Sequence, residues 1–452
     1  MTSLFRPSRA AHPIRRGAAS LVVVMVLFFI ITLVAAYMSR NLLFEQRTST
    51  NQFRSTLAFE TAEAGVEWAL ARLNDARMND DCTPLTSAAS VTTEVTFRER
   101  YLDINSTTGV ISPVAGGRIA GCIFDGVNWV CDCPATGNPN PAVTYTGNGP
   151  FAAFWVRFLD VTPVAAGVTG IVRMQVNACT RADANCLDFA TRAPESGDGM
   201  ATVWALIALR SALPTLPAAA LSVSGTSFTS DPAATPTISN SDPISGGITV
   251  HSAAPVPAGL NLVSVPGSPP ELSTRPSDAT LYLGDLSITP ATPANLGTNR
   301  MFNAVFGTWP ATYFAQPARS EIDCSGGCTH ANINDAARLR PGQPIWVKGS
   351  AGLLDIGGNI GSTTDPVLIL AEGDVEFSGG TPTVVGAIYT REAAAWTLEG
   401  AGTIQGAAMA ERDFSFAAGS PSITYDRDVL LNLRHRTGSF VKVPGGWRDF
   451  QP

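Results

Sequence analysis

Two hydrophobic patterns lie end to end at the start of the chain. From Ala18 to Ser39 the sequence AASLVVVMVLFFIITLVAAYMS carries no charge. This run of 22 residues would make about 33 Å of helix, enough to cross a bilayer core of about 30 Å. Further on the apolar positions become periodic. Val66, Ala69, Leu70 and Leu73 fall at i, i+3, i+4 and i+7, one face of a helix. Phe53 and Leu57 extend the stripe upstream, and Glu60, Glu63, Glu67 and Arg72 occupy other faces. The pattern predicts one helix over 18–78, ended by the NDDCTP run at Asn79–Pro84. Its C-terminal half is expected to pack on a sheet, leaving the N-terminal half for a membrane or neighbouring stalks.

Beyond the helix the period drops to two. Phe151–Val161, Gly170–Ala178 and Ala201–Leu213 mix β-branched and aromatic residues with partial alternation and predict three strands among loops. After Leu213-Pro214 the chain turns to Ser, Thr, Gly, Pro and Asn. Stretches such as ALSVSGTSF and PTISNSDPISGGITVHS read as short strands between turns. Residues 266–340 are Pro-rich and read as an insertion. From Pro344 similar units repeat: Val384 to Ile404 is 20 residues, Gly386 to Gly406 is 20, and Ile404 to Ile423 is 19. A period of about 20 with glycine corners predicts stacked β-solenoid rungs that bury their apolar rows against one another. The expected rung core is Ile369, Val375, Phe377, Ile388, Trp396, Leu398, Ile404, Phe414, Phe416 and Ile423. SITYDRDVL would be a last partial rung, and Ser222–Val265 another part of the same coil. The fold class is α+β, with a basic leader over 1–17, a transmembrane and stalk helix over 18–78, a first globular domain over 79–217 and a β-rich solenoid domain over 218–452.

Composition narrows the function. Charged residues are only 15% of the chain while Gly (41) and Pro (32) are abundant, which favours strands and turns over soluble helices. The net charge of −7 offers no basic field for nucleic acid, and none is expected as a partner. Residues 1–17 hold Arg6, Arg9, Arg15 and Arg16 and no acid. This flank should stay cytoplasmic, so the body is expected on the far side of the inner membrane, in the periplasm.

All eight cysteines, Cys82, Cys122, Cys131, Cys133, Cys179, Cys186, Cys324 and Cys328, lie beyond the apolar run, as disulfides in an oxidising compartment would. Cys179/Cys186 and Cys324/Cys328 read as local staples. Cys131 and Cys133 are too close to pair easily with each other, so they should take Cys82 and Cys122, in either order. Cys324-x₃-Cys328 with His330 has zinc-like spacing but lacks a fourth ligand, and no metal or cofactor is expected. Glu372, Asp374 and Glu376 alternate along one stretch and Asp426, Arg427 and Asp428 cluster near the end. Both groups read as solvated edges, so no catalytic residue is assigned and the chain is expected not to be an enzyme.

One segment carries a specific resemblance. RRGAASLVVVMVLFFIITLVAAYMSRNLLFEQRTSTNQFRSTLAFETAEAGVEWALARL is similar to the N-terminal region of PilX-type minor pilins of type IV pili. The matching features are the RGAA start, the glutamate and arginine just past the apolar run, and Ala58-Phe59-Glu60-Thr61-Ala62-Glu63-Ala64-Gly65. The resemblance implies cleavage by prepilin peptidase between Gly17 and Ala18, a helix lying across an antiparallel sheet, and other minor pilins and the major pilin as partners. It places assembly contacts on the helix at Val22, Glu45, Glu63 and Gly65. Major pilins usually carry a glutamate five residues past the cut, thought to engage the preceding subunit's N-terminus. Here that position is Val22, which suggests a subunit that starts or tops a filament. A tip adhesin, a type II secretion pseudopilin and a pilin-anchored polysaccharide-acting enzyme are the alternatives.

Overall fold

The computed structural model describes residues 17–147, 149–161, 169–190, 198–276, 288, 299–378, 380–391 and 396–449. The expected leader lies outside the described residues except for Gly17.

One helix runs unbroken from Gly17 to Leu73. Its first half touches nothing else in the chain, and Leu21 to Phe44 are exposed. From Ala58 onward a face closes on the body: Ala58, Ala62, Val66, Ala69 and Leu73 are all buried. Alanine at three of these five positions lets the backbone approach the sheet closely. The helix ends at Leu73, five residues before the expected 78. Asn74 ends it by turning sideways: its Nδ2 donates to the carbonyls of Leu70 (3.0 Å) and Phe440 (2.9 Å), and its Oδ1 accepts from the Phe440 N–H (2.7 Å). Arg77–Met78 then forms a short antiparallel pair with Val95–Thr96.

The helix lies on a six-stranded antiparallel sheet, the head. Its spatial order is Gly438–Arg448, Met200–Ser211, Ile171–Cys179, Ala153–Leu159, Ile119–Phe124 and Trp129–Asp132. Alternation decides which side chains meet the helix. Val172, Met174, Val176 and Ala178 form one such row, with Phe154, Val156 and Phe158 beside it. Trp155, Cys179, Cys186 and Leu187 make a second, smaller core elsewhere on the sheet. The three strands expected from the period are present. Ile119–Phe124 and Trp129–Asp132 fall where loops were expected, because each is too short to show alternation.

The edge strand Gly438–Arg448 corrects the domain reading. A solenoid domain over 218–452 is not what forms. The chain leaves the head after Ser211, builds the second unit, and returns its last strand to the head. SITYDRDVL also divides: Ser422–Tyr425 is a strand, but Arg427–Arg436 is a helix capped by Asp426, whose Oδ1 accepts from the Asp428 and Val429 N–H groups.

The second unit consists of two sheets of parallel strands sharing one core. Strands one repeat apart pair in register: Val367 with Gly386, Gly386 with Gly406, and Ile404 with Ile423. Side chains therefore stack in columns. One column runs Ile345, Ile369, Ile388, Ala408, Leu221 and Val250. Another runs Cys328, Leu354, Val375, Trp396, Phe414 and Phe228. All ten residues expected in the rung core are at most 1% exposed.

Two features of this stack depart from sequence order. The strands at 219–239 pair with those at 403–425, and the strands at 248–276 add beyond them, so the segment first in sequence lies beyond the strands that come last. The other end begins with Ser320–Asp323 and Cys328–Thr329, inside the stretch read as an insertion. Within the described part of that stretch, short helices form at Arg300–Phe306, Pro310–Phe314 and His330–Leu339.

Candidate functional site: the stalk helix and its junction with the body

The bare half of the helix is long and apolar enough to cross a membrane, with a mean hydropathy of 2.9. Its threonine hydroxyls at 32 and 48 are satisfied within the helix. Thr32 donates to the Phe28 carbonyl at 2.9 Å and Thr48 to that of Phe44 at 3.0 Å, which removes the cost of placing them in an apolar setting. The residues implied in assembly sit on this element but not together. Val22 is exposed within the apolar run, Glu45 is exposed just past it, and Glu63 is exposed beside the head. Val22 and Gly65 are 43 residues apart in one helix, about 65 Å along its axis.

Gly65 is the one implied residue whose environment explains its identity. A Cβ there would stand 2.7 Å from Val176 Cγ1 and 2.8 Å from Phe154 Cδ2. The glycine lets the stalk seat on the sheet. Next to it Trp68 meets Phe154 and Phe97 edge-on, at 5.5 and 5.6 Å between ring centroids. Glu67, on another face of the helix, reaches Lys442 of the last strand in an ion pair.

The upper end of the stalk is held by a residue that sequence reading missed. Arg98 is buried, and its guanidinium donates to three carbonyls: Leu73 (3.0 Å) at the helix end, Gly342 (3.0 Å) in the stack and Gly438 (3.1 Å) at the start of the last strand. A cation at a helix C-terminus is favoured by the helix dipole. Burial, with Arg436 nearby, lowers the Arg98 pKa to about 10, against a smaller raising effect of Glu99. Gln343 completes the junction, its Nε2 donating to the carbonyls of Asn74 (2.9 Å) and Asp75 (3.2 Å). A signal was present in the sequence: Thr96-Phe97-Arg98-Glu99 is a capping box, and it opens the short helix that aims Arg98.

The cysteines form four disulfides: Cys82–Cys133, Cys122–Cys131, Cys179–Cys186 and Cys324–Cys328. Both local staples form, and the order left open resolves as Cys82 with Cys133. Cys122–Cys131 joins directly opposed positions on neighbouring strands. The acidic groups have structural work. Glu372 accepts from Trp346 Nε1 (3.0 Å), and Asp426 caps a helix and accepts from Gln405 (2.7 Å). Among the described residues no group of three or more His, Cys, Asp or Glu side chains is placed to hold a metal ion.

The fold defines a class: an α+β protein whose single N-terminal apolar helix, compatible with a single-pass membrane anchor, continues as a stalk into a mostly-strand body. Residues 16–67 match the family model described as PilX N-terminal, so the N-terminal segment is similar to that of the PilX family. Among solved structures, the competence-associated pilin ComZ from Thermus thermophilus matches at 12% identity, covering 87% of this chain and 97% of its own, with a TM-score of 0.24. No curated protein matches the chain.

Proposed function

We propose that this protein is a minor pilin acting in type IV pilus assembly, in the initiating, tip-proximal complex of the filament. The observation that carries the reading is the PilX-type segment in one unbroken helix, half bare and half seated on the head. In this reading the bare half holds the chain in the inner membrane with its body in the periplasm. Prepilin peptidase cuts between Gly17 and Ala18 and frees the helix to pack beside the stalks of other minor pilins and the major pilin. Val22, at the position where major pilins carry a glutamate, removes the group that would engage a preceding subunit. The bulk beyond Leu73 would crowd a repeated filament core and suits the end of one.

The parallel stack is best read as a β-solenoid whose chain path closes out of sequence order, and its role as display without catalysis. Of the acidic groups weighed for catalysis, Glu372 and Asp426 take part in structural contacts. The test is a clean chromosomal deletion, scored for surface pili and for major pilin abundance, with complementation by wild type and by Gly17→Val. Loss of pili at unchanged major pilin, restored by wild type and not by Gly17→Val, is expected. Normal piliation in the deletion sinks the assembly role. Normal piliation with lost attachment would favour the tip-adhesin alternative.

A further inference from the structure

The short helix Phe97–Tyr101 runs into a two-stranded hairpin, Leu102–Ile104 paired antiparallel with Ile111–Pro113. The loop between these strands reads Asn105-Ser106-Thr107-Thr108-Gly109-Val110. Asn105 is the chain's single asparagine with Ser or Thr two residues further on, and the residue between is not proline. Asn-x-Ser/Thr is the acceptor pattern for N-linked glycan transfer, and it has meaning on an exposed loop of an exported protein. The pattern alone is common, and the geometry of this loop is what gives it weight.

The loop is fixed to the body by its backbone. Asn105 Oδ1 accepts from the Thr107 and Thr108 N–H groups at 3.0 and 2.8 Å, and the Gly109 N–H donates to the Asn105 carbonyl at 2.9 Å. The Ser106 carbonyl bonds the His435 ring at Nδ1, 2.8 Å away. Asn105 and Thr107 are nonetheless exposed, as is Asp103. The turn uses only the oxygen of the Asn105 carboxamide. Among the described residues nothing accepts from its Nδ2 and nothing bonds the Thr107 hydroxyl. An aspartate would close the same turn, so the fold accounts for the oxygen and leaves the NH₂ group and the hydroxyl without structural work. Those are the two groups the acceptor pattern requires, the nitrogen as the atom modified and the hydroxyl as the group by which a transferase selects the run. Asp103 precedes Asn105 by two residues at the end of an extended strand, the spacing that sets side chains on one side. Its carboxylate gives an enzyme a charged handle beside the acceptor.

We propose that Asn105 is an N-glycosylation site, modified by an oligosaccharyltransferase that uses a polyprenyl-diphosphate-linked oligosaccharide. Asn105 Nδ2 bonds to the anomeric carbon of the first sugar as that carbon's bond to the diphosphate oxygen breaks. Nδ2 gives up one proton, the polyprenyl diphosphate leaves with the electron pair, and nothing is oxidised or reduced. The proposal rests on the body lying in the periplasm, since transfer of this kind acts on exported chains. The four disulfides, which form in an oxidising compartment, support that placement. The hairpin pairs residues close in sequence, so transfer during export does not wait for the last strand of the head. In the finished body the loop stays exposed, and a glycan there is carried without displacing a packed side chain.

The test is intact mass and peptide mapping of the full chain purified from its own cells, with protease access to the body measured in spheroplasts alongside. Trypsin releases Tyr101–Arg118 as one peptide. In wild type this peptide should carry a glycan mass that fragmentation locates on Asn105. Asn105→Asp keeps the oxygen that closes the turn, so it should fold normally and lose the glycan. Thr107→Ala should lose it, Thr107→Ser should keep it, and Asp103→Ala should lower occupancy at least several-fold. An unmodified peptide in wild type overturns the proposal. If the body is then open to protease, the glycosylation site fails alone; if it is protected, the periplasmic placement fails with it. A glycan located on Ser106, Thr107 or Thr108, or one that survives in Asn105→Asp, overturns it as well.

Discussion

In the head, antiparallel strands drawn from residues 119 to 448 are gathered under one helix and tied by three of the four disulfides. In the stack, parallel strands a repeat apart hold one another in register, and only Cys324–Cys328 is a crosslink, spanning four residues. The head assembles contacts of long sequence separation and relies on specific fasteners: Gly65 at the helix seat, Asn74 at the helix end and Arg98 across three segments. The stack relies on repetition. Its columns of isoleucines and aromatics bury only against their neighbours. Its polar edge alternates in sign, since Asp323 stands opposite Lys348, and Arg391 lies 3.9 Å from Glu372 and 3.8 Å from Glu411. A unit built by repetition should be vulnerable at its corners, and a unit built by fasteners at single side chains.

The severest break should come at a stack corner. Gly386 has φ +148°, and a Cβ there would lie 1.9 Å from the Val367 carbonyl oxygen. Gly386→Val should cost more than about 4 kcal/mol and leave no folded stack, read by far-UV circular dichroism and limited proteolysis. Next, Arg98→Met should cost about 3–5 kcal/mol, because three buried carbonyls lose a charged donor. It should also split one urea transition into two as head and stack come apart, and a single unshifted transition would refute the fastener account.

Removing Cys82–Cys133 as a double serine variant should destabilise the head by about 2–4 kcal/mol, because the bond closes a long loop. Removing Cys324–Cys328 should cost the stack less, and equal costs in thermal melts would erase the contrast between the two units. The smallest effect belongs to Glu372→Lys, which sets like charges between Lys348 and Arg391. It should lower stability by about 1 kcal/mol or less, with a melting-temperature deficit that shrinks in high salt.

The same contrast governs what could be read in advance. The stack core was legible residue by residue, because a repeat of about 20 prints its apolar columns directly into the sequence. Its order was not. No local signal says that Leu221 will stack on Ala408 and not on a neighbour in sequence. In the head, the helix face at Val66, Ala69 and Leu73 was legible from its period, and the long strands from theirs. The strand Gly438–Arg448 was missed because its partner Met200–Ser211 lies more than 200 residues upstream, and pairing at that distance leaves no trace in local pattern. Arg98 was missed for a related reason, since its three acceptors are backbone carbonyls, which any sequence supplies. Of the candidate site, Gly65 could be singled out from the Glu-Ala-Gly run, but the junction around Gln343 exists only once both units are in place.

The out-of-order stacking bears on how the chain is made. Residues 219–239 leave the ribosome long before the strands at 403–425 that they rest on, and the head sheet lacks its last strand until residues 438–448 arrive. Units that fold as they emerge do so from the N-terminus, but here neither can close early. A chain halted anywhere before about residue 400 would have an intact stalk helix and no finished body, so exposed strand edges would mark every incomplete copy for proteolysis. Completion of the polypeptide is thereby written into the fold as a condition of its own stability.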